Sequence, residues 1–132
     1  MDFWDDAYIM MQKEVGQRLT AKVGTKEYSR LSVVVGVYLH VEMCFKIPPD
    51  VFYPKPKVDS AIIKFSKKER PLVPDEKFVK FKKIVKTAFS KRRKMLRNSL
   101  AAFNIPDKTQ DKIDFTRRPE TLSIAEFAKL LD

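Results

Sequence analysis

The stretch VFYPKPKVDSAIIKF, from Val51 to Phe65, leads from a proline-stiffened loop into an apolar strand. Prolines fix the backbone φ angle and remove hydrogen-bond donors, so the loop is rigid and lies outside a strand ladder. It nevertheless carries two adjacent aromatic residues, Phe52 and Tyr53. Two interpretations stay open: the rings fold back into a core, or they are available to stack on a flat ligand.

The segments on both sides of this loop have the pattern of β-strands. VEMCFKI alternates apolar residues with polar or small ones, and this period of two predicts a strand with one inward face. The predicted inward residues are Val41, Met43, Phe45 and Ile47. SAIIKFS, after the loop, predicts a second strand that pairs antiparallel with the first across a long connection.

Three segments precede these strands. AYIMMQ, residues 7–12, predicts a buried strand, and KEVGQRL after it has helical spacing. RLSVVVGVYLH is apolar nearly all round and predicts a largely buried helix, although its β-branched valines favour a strand. We expect His40 to lie on this helix in a structural role.

The second half of the chain has a helical pattern. The polar segment Lys67–Lys77 predicts a domain boundary, dividing the chain into residues 1–68 and 69–132. Asp75 is the expected N-cap of the next helix. That helix would bury Arg92 if it were continuous, so either Arg92 pairs with a buried carboxylate or the helix breaks near Ser90. We expect the break, with Ser90 capping a second helix. A short helix around 108–113 and a last one capped by Ser123 complete the chain.

The composition restricts the class of function. The 132 residues carry a net charge of +10, which favours a polyanionic partner, either nucleic acid or an acidic membrane surface. Cys44 is the only cysteine and His40 the only histidine, so the composition excludes an internal disulfide and a metal site rich in these residues. Three scattered glycines form no phosphate-binding loop. With no secretory signal or membrane span apparent, we expect a soluble, cytoplasmic protein.

The positive charge is concentrated in one segment. Lys77–Arg97 holds ten lysines and arginines and no acidic residue. Solvated helix faces usually mix charges of both signs, whereas neighbouring charges here repel. The segment therefore predicts a nucleic-acid contact. Membrane binding is a weaker alternative, because the segment lacks an amphipathic face bearing Trp. The expected helix break would place KRRK, Lys91–Lys94, at a helix N-terminus that attracts phosphate.

Five segments, in this order, resemble the KsgA-type ribosomal RNA adenine N6,N6-dimethyltransferases. They are MMQKEVGQRL, YSRLSV, FKIPPDVFYPKPKVDSAIIKF, AFSKRRKMLRNSL and RPETLSIAEF. The resemblance implies an α/β fold: the C-terminal part of a class I (Rossmann-like) S-adenosylmethionine methyltransferase sheet, followed by a small all-α domain. It also implies that S-adenosylmethionine is bound by an N-terminal half with motifs that this sequence lacks.

The resemblance further implies the function and the site. The parent enzyme dimethylates two adjacent adenines near the 3′ end of small-subunit rRNA, acting on the immature small ribosomal subunit as a monomer without a metal. Phe52 matches an aromatic that holds the flipped target adenine, which has to leave its stack before its amine can react. The implied RNA-binding residues are Lys55, Lys91, Arg92, Arg93, Lys94 and Arg97.

Two hypotheses follow from the sequence. In the first, the chain is part of a methyltransferase and supplies rRNA docking and the target-base edge, while being inactive alone. In the second, it is a non-catalytic RNA-binding module. A glycine-rich motif and N-L-P-Y encoded in frame upstream of Met1 would favour the first hypothesis.

Overall fold

A computed structural model describes residues 6–55 and 57–131 of the chain. The fold is α/β, with a small antiparallel sheet and a set of short helices. The strands are β1 (Asp6–Gln12), β2 (Leu39–Ile47) and β3 (Ser60–Lys67). The helices are α1 (Lys13–Leu19), α2 (Arg30–Gly36), α3 (Phe78–Ser90), α4 (Leu96–Ser99), α5 (Asp107–Gln110) and α6 (Ile124–Lys129). Single 3₁₀ turns occupy Pro49–Val51, Asp75–Lys77, Ala101–Phe103 and Pro119–Thr121.

The strand that follows the proline loop, β3, is the centre of the sheet. It pairs antiparallel with β1 on one side and with β2 on the other. The predicted antiparallel pairing of β2 and β3 is therefore confirmed. Because both neighbours run antiparallel to β3, β1 and β2 are parallel to each other and end at the same edge of the sheet.

A bulge in β2 reverses the alternation predicted for that strand. Met43 lies opposite Ile63, but Phe45 lies opposite Ile62, so Cys44 is an extra residue. Ile62 and Ile63 face opposite sides of the sheet. The expectation that Phe45 points inward is wrong: its ring is 60% exposed on the open face.

The helices α1 and α2 cover one face of the sheet. Their partners are the buried side chains of Ala61, Ile63 and Phe65 in β3. Gly16 of α1 lies directly over Ile63, where an added Cβ would be 2.8 Å from Ile63 Cδ1. The close approach favours a residue without a side chain, because a Cβ at this position would force the end of the Ile63 side chain to move.

Two predictions in the first half need correction. The predicted helix ends at Gly36, so His40 lies in β2, opposite Ser66, and is exposed. A strand formed by AYIMMQ is confirmed, but its burial is wrong: Tyr8 and Met10 are more than half exposed. In the described part of the chain, β1 pairs only with β3 and is an edge strand.

A larger apolar core joins the first half of the chain to the second. Tyr28, Val33 and Val37 are buried in one cluster with Phe81 and Phe127. Burial raises the pKa of the Tyr28 hydroxyl, which donates a 2.7 Å hydrogen bond to the carbonyl of Leu122. The core therefore includes side chains from both sides of residue 68, and the division at that position stays a prediction.

The helical half shows where capping was and was not predictable. Ser123 caps α6 as predicted, since its hydroxyl accepts from the Glu126 amide at 3.1 Å. Asp75 caps no helix; it lies in a 3₁₀ turn and accepts a 3.0 Å hydrogen bond from the Tyr38 hydroxyl. The predicted break is confirmed, because α3 ends at Ser90, but Ser90 does not cap a following helix. No helix among the described residues is long and apolar enough to cross a membrane.

We expect the chain to self-associate through β1 and the open face of the sheet. Among the described residues the outer edge of β1 has no partner strand, and with exposed Tyr8, Met10 and Phe45 beside it this edge is a template for strand addition. The variant Met10→Lys should shift the chain towards monomer in sedimentation velocity, because an edge lysine disfavours pairing. Val23→Lys, at a residue 45% exposed and off the sheet, is the matched control. A monodisperse monomer of the unsubstituted chain at high concentration would contradict this expectation.

Candidate nucleic-acid interface

The four consecutive cations Lys91–Lys94 form a turn, here named the basic turn, between α3 and α4. The Lys91 amide donates to the Ala88 carbonyl at 3.3 Å and the Lys94 amide donates to the Lys91 carbonyl at 2.9 Å. The expectation that these residues open a helix is wrong: they follow the C-terminus of α3. Helix C-terminal carbonyls stabilise cations, so the position moderates the repulsion within the turn, but it is not a helix N-terminus of the kind that attracts phosphate.

Arg92 differs from its neighbours because it is held against the protein. Its Nη2 donates a 3.1 Å hydrogen bond to the Thr25 carbonyl, and its guanidinium carbon lies 5.9 Å from the centre of the Phe89 ring. The helix break removes the need for a buried carboxylate partner, which was the alternative considered for this arginine. Lys91, Arg93 and Lys94 are exposed, so these three present their charges to solvent.

The end of the basic turn is fixed by backbone hydrogen bonds to a distant segment. The Leu96 amide donates to the Arg117 carbonyl at 2.9 Å, and the Arg97 amide donates to the Phe115 carbonyl at 3.0 Å. Leu96 is buried in the larger core, whereas the Arg97 side chain is exposed. The start of α4 is thus fixed both by these hydrogen bonds and by the burial of Leu96, so the cations next to it have a defined position.

An ion pair holds the segment that anchors this turn. Arg117 Nη1 lies 2.5 Å from Glu126 Oε2, and Arg117 Nε donates to the Thr121 hydroxyl at 3.2 Å. The Arg117 hydrogen bond lowers the pKa of the Glu126 carboxyl, while Glu126 raises the pKa of Arg117. The pair was not foreseen from the sequence. The spacing of Ser123 and Glu126 predicts a capping box at the start of α6, but it does not predict that Glu126 also pairs with Arg117.

The loop carrying Phe52 lies at the edge of the sheet where β1 and β2 both end. Phe52 is partly buried and its amide donates to the Pro49 carbonyl at 3.2 Å, whereas Tyr53 is fully exposed. The structure therefore places one ring against the protein and the other in solvent. At the far end of the loop, the Lys13 amide donates to the Asp59 carbonyl at 2.9 Å, which ties the loop to α1.

Lys55 is on the same loop but already has a partner. Its ammonium lies 2.7 Å from Asp50 Oδ1, with both side chains mostly exposed. Phe52 and Lys55 thus form one group at the sheet edge, and Lys91–Lys94 with Arg97 form a second group on the helical side. The described residues contain no cluster of three or more His, Cys, Asp or Glu side chains that could hold a metal ion.

Sequence comparison gives the chain's relatives. The family described as "Ribosomal RNA adenine dimethylase" matches residues 2–132. "Ribosomal RNA small subunit methyltransferase A" of Bacillus cytotoxicus is 46% identical over 135 residues, covering 92% of this chain and 45% of that protein. The protein of the same name from Dichelobacter nodosus is 44% identical, covering 95% of this chain and 48% of that protein. The chain spans about half the length of these curated relatives.

Comparison with solved structures agrees. A dimethyladenosine transferase from Plasmodium falciparum aligns with a TM-score of 0.82 at 25% identity, over 96% of this chain and 56% of that one. The 23S rRNA methyltransferase ErmE aligns with a TM-score of 0.68 at 22% identity, over 96% and 53% respectively. The second likeness shows the fold alone.

We expect Glu126→Gln to lower the free energy of unfolding by about 1–2 kcal/mol near neutral pH, because it removes a charge-assisted hydrogen bond to Arg117. A carboxylate with a lowered pKa stabilises the fold above its unfolded pKa, and this stabilisation is lost as the pH falls through the folded value. The difference from the unsubstituted chain should therefore shrink in acid. Urea unfolding at several pH values measures it, with exposed Glu69→Gln as control. A pH-independent difference would contradict the ion-pair explanation.

Proposed function

The chain belongs to the ribosomal RNA adenine dimethylase family, and on that premise we propose that it supplies RNA docking and the target-base edge of an rRNA adenine N6,N6-dimethyltransferase. The observation that carries the proposal is the acid-free segment Lys77–Arg97, which presents Lys91, Arg93 and Lys94 to solvent on an anchored turn. The proposed substrate is the 3′ region of small-subunit rRNA in the immature small ribosomal subunit. The proposed full-length enzyme is monomeric and cytoplasmic.

The geometry of the basic turn suits contact with phosphates. The cationic side chains lie on a short turn, and the residues that follow it are hydrogen-bonded to the segment 115–117. Because the backbone of the turn is already fixed, little of its conformational entropy is lost when RNA binds. Phosphate contacts fix the position of a protein on RNA without reading the base sequence. Arg92 and Arg97 belong to the proposed contact surface, with Arg92 oriented by Thr25. Lys55 has to exchange Asp50 for phosphate, so we propose a smaller share for it.

Phe52 is proposed to support the extruded adenine. Ligands of open α/β sheets bind beyond the carboxyl ends of the strands, and the loop of Phe52 follows β2 at that edge. Chemistry on an exocyclic amine needs the base out of its stack, and an aromatic ring replaces part of the lost stacking. Partial burial of Phe52 keeps the ring's position defined while leaving part of it accessible.

The three glycines of this chain, at positions 16, 24 and 36, are too widely spaced to form the glycine-rich loop that a nucleotide-type cofactor needs. Gly16 and Gly36 are occupied by close contacts with Ile63 and Ile124, and Gly24, with a φ of 87°, forms a turn after α1. Two of the three glycines therefore lie in helices and one in a separate turn, so they do not form one glycine-rich loop. We therefore propose that the cofactor is bound outside this chain. The second candidate is a non-catalytic RNA-binding module. It is favoured by the same observation, that the glycines of this chain form no loop for a cofactor.

The basic turn should account for much of the salt dependence of RNA binding. We expect Arg93→Ala/Lys94→Ala to make the log–log dependence of affinity on salt shallower by about 0.7–0.9 per lost contact, because fewer counterions are released. The measurement is fluorescence anisotropy with a 3′-terminal fragment of small-subunit rRNA. Lys26→Ala/Lys108→Ala removes the same charge at exposed positions elsewhere and is the control. The interface lies elsewhere if the two double variants have equal slopes.

Phe52 should matter for methyl transfer and little for docking. In a full-length enzyme carrying this half, we expect Phe52→Ala to lower single-turnover methylation roughly ten- to a hundredfold, since one stacking partner contributes about 1–3 kcal/mol. RNA affinity should change only a few fold, and Phe52→Tyr should keep most of the activity because the ring face is preserved.

A thermal melt separates this role from a structural one. If Phe52→Ala lowers the melting temperature substantially and reduces binding and rate equally, Phe52 is a core residue and the proposed stacking role is wrong. The fully exposed Tyr53 provides the comparison on the same loop, since Tyr53→Ala removes a ring without loss of packing.

A further inference from the structure

A surface groove between α2 and α3 continues from the basic turn along the whole of α3. It consists of two adjoining hollows of about 370 and 540 Å³ that share Arg30, Leu31 and Lys86. The first hollow reaches Phe89 and Arg92 at the basic turn, and the second reaches Val79 at the start of α3. The groove is therefore continuous with the surface proposed to dock RNA.

The rim of this groove is positively charged on both sides. Arg30 lies on α2, and Lys82, Lys83 and Lys86 lie on α3. Among the residues that the structure describes, no aspartate or glutamate lines either hollow. Two positive rims facing one another repel, so the groove is best stabilised by an anion lying between them.

The floor of the groove is apolar. Its apolar residues are Leu31, which is 37% exposed, Val34, which is partly buried, and Val79, which is 65% exposed. On α3, Val79 shares its helix face with Lys82, Lys83 and Lys86, at spacings of three, four and seven residues. The other apolar residues of the floor, Leu31 and Val34, come from α2. Apolar floor and cationic rims together match a ligand that has both flat apolar groups and regularly spaced negative charges.

We infer that the groove between α2 and α3 binds a single-stranded RNA segment, with phosphates at the rims and bases against the floor. The inference rests on the proposed RNA docking and extends it by one surface. A duplex keeps its bases stacked and paired, so only unpaired bases reach the floor. The 13 residues of α3 are about 20 Å long, which corresponds to about six stacked nucleotides.

The test uses the chain itself and two double variants that remove equal charge. Lys83→Gln/Lys86→Gln changes the groove, and Lys26→Gln/Lys108→Gln removes the same charge from exposed positions outside both hollows and outside Lys77–Arg97. The probe is a labelled single-stranded RNA of about six nucleotides. We expect the groove variant to bind roughly tenfold more weakly at low salt, with a salt slope shallower by about 1.4, at about 0.7 per single-strand contact. The control variant should keep most of its affinity and slope.

The floor is tested separately. Val79→Gln leaves the charge unchanged and should weaken binding of the single strand several fold while leaving binding of an RNA duplex unchanged. Val23→Gln, at another exposed valine, is the matched control. Circular dichroism melts of all variants confirm folding, and Lys86→Gln alone provides a milder variant where a double substitution fails to fold.

Each outcome decides the inference. Equal losses from the groove and control lysines would overturn it, because binding would then follow net charge alone. If substitutions in the basic turn weaken RNA binding but those in the groove do not, the groove inference is wrong and the proposed docking function stands; if neither weakens it, both are wrong. An acidic amphipathic peptide is the competitor. If the peptide displaces the RNA, binds more tightly than the RNA and alone depends on Val79, the inference of an RNA ligand is wrong and the groove binds a protein partner.

Discussion

The structure depends on one helix, α2, being apolar on two sides. On one side Val35 packs against the buried side chains of β3. On the other side Val33, with Val37 just after the helix, is fully buried in the larger apolar core. Gly36 lies where a side chain would collide with Ile124, so its lack of one lets α6 approach. The backbone leaving α2 is also satisfied, because the Lys68 and Leu72 amides donate to carbonyls just beyond the helix. A seven-residue helix would be marginal alone, and burial on both sides supplies its stability.

This double burial explains how α3 carries so much unbalanced charge. Phe81, Ile84, Val85 and Ala88 are fully buried against the core to which α2 contributes. Each fully buried large apolar side chain contributes about 1.5–3 kcal/mol, whereas a like-charge pair one turn apart costs only about 0.2–0.5 kcal/mol. Packing therefore exceeds the repulsion among the lysines several fold. The helix tolerates an acid-free surface because its stability comes from the opposite face.

Sequence periodicity revealed those parts of the fold that depend on local pattern. The three strands, the break after Ser90 and the cap at Ser123 follow from alternation, helix phase and capping chemistry. The bulge at Cys44 was not predictable, because an extra residue is recognised only against a partner strand. The exposure of β1 also depends on its neighbours, not on its composition.

The candidate site also has features that the sequence predicts and features that depend on distant parts of the chain. The cationic character of Lys91–Lys94 is a property of composition and was evident from the sequence, but its place in a turn before α4, and not at the start of a helix, was not. That place depends on long-range hydrogen bonds from Leu96 and Arg97 to residues some twenty positions away, which no local pattern encodes. The Arg117–Glu126 pair has the same origin, since neither side chain is unusual until the chain brings them together.

The two groups of proposed RNA contacts are connected by packed structure. The basic turn is tied by Arg92 to the loop after α1 and by Leu96 to the core, and that core includes Tyr28 and Val33 beside α2. From α2 the packing continues into the sheet, whose central strand follows the loop of Phe52. Because interiors are close-packed, this chain of contacts resists small displacements. An RNA held at the turn therefore meets the loop at a defined distance, which is the condition under which docking energy can orient a base for chemistry.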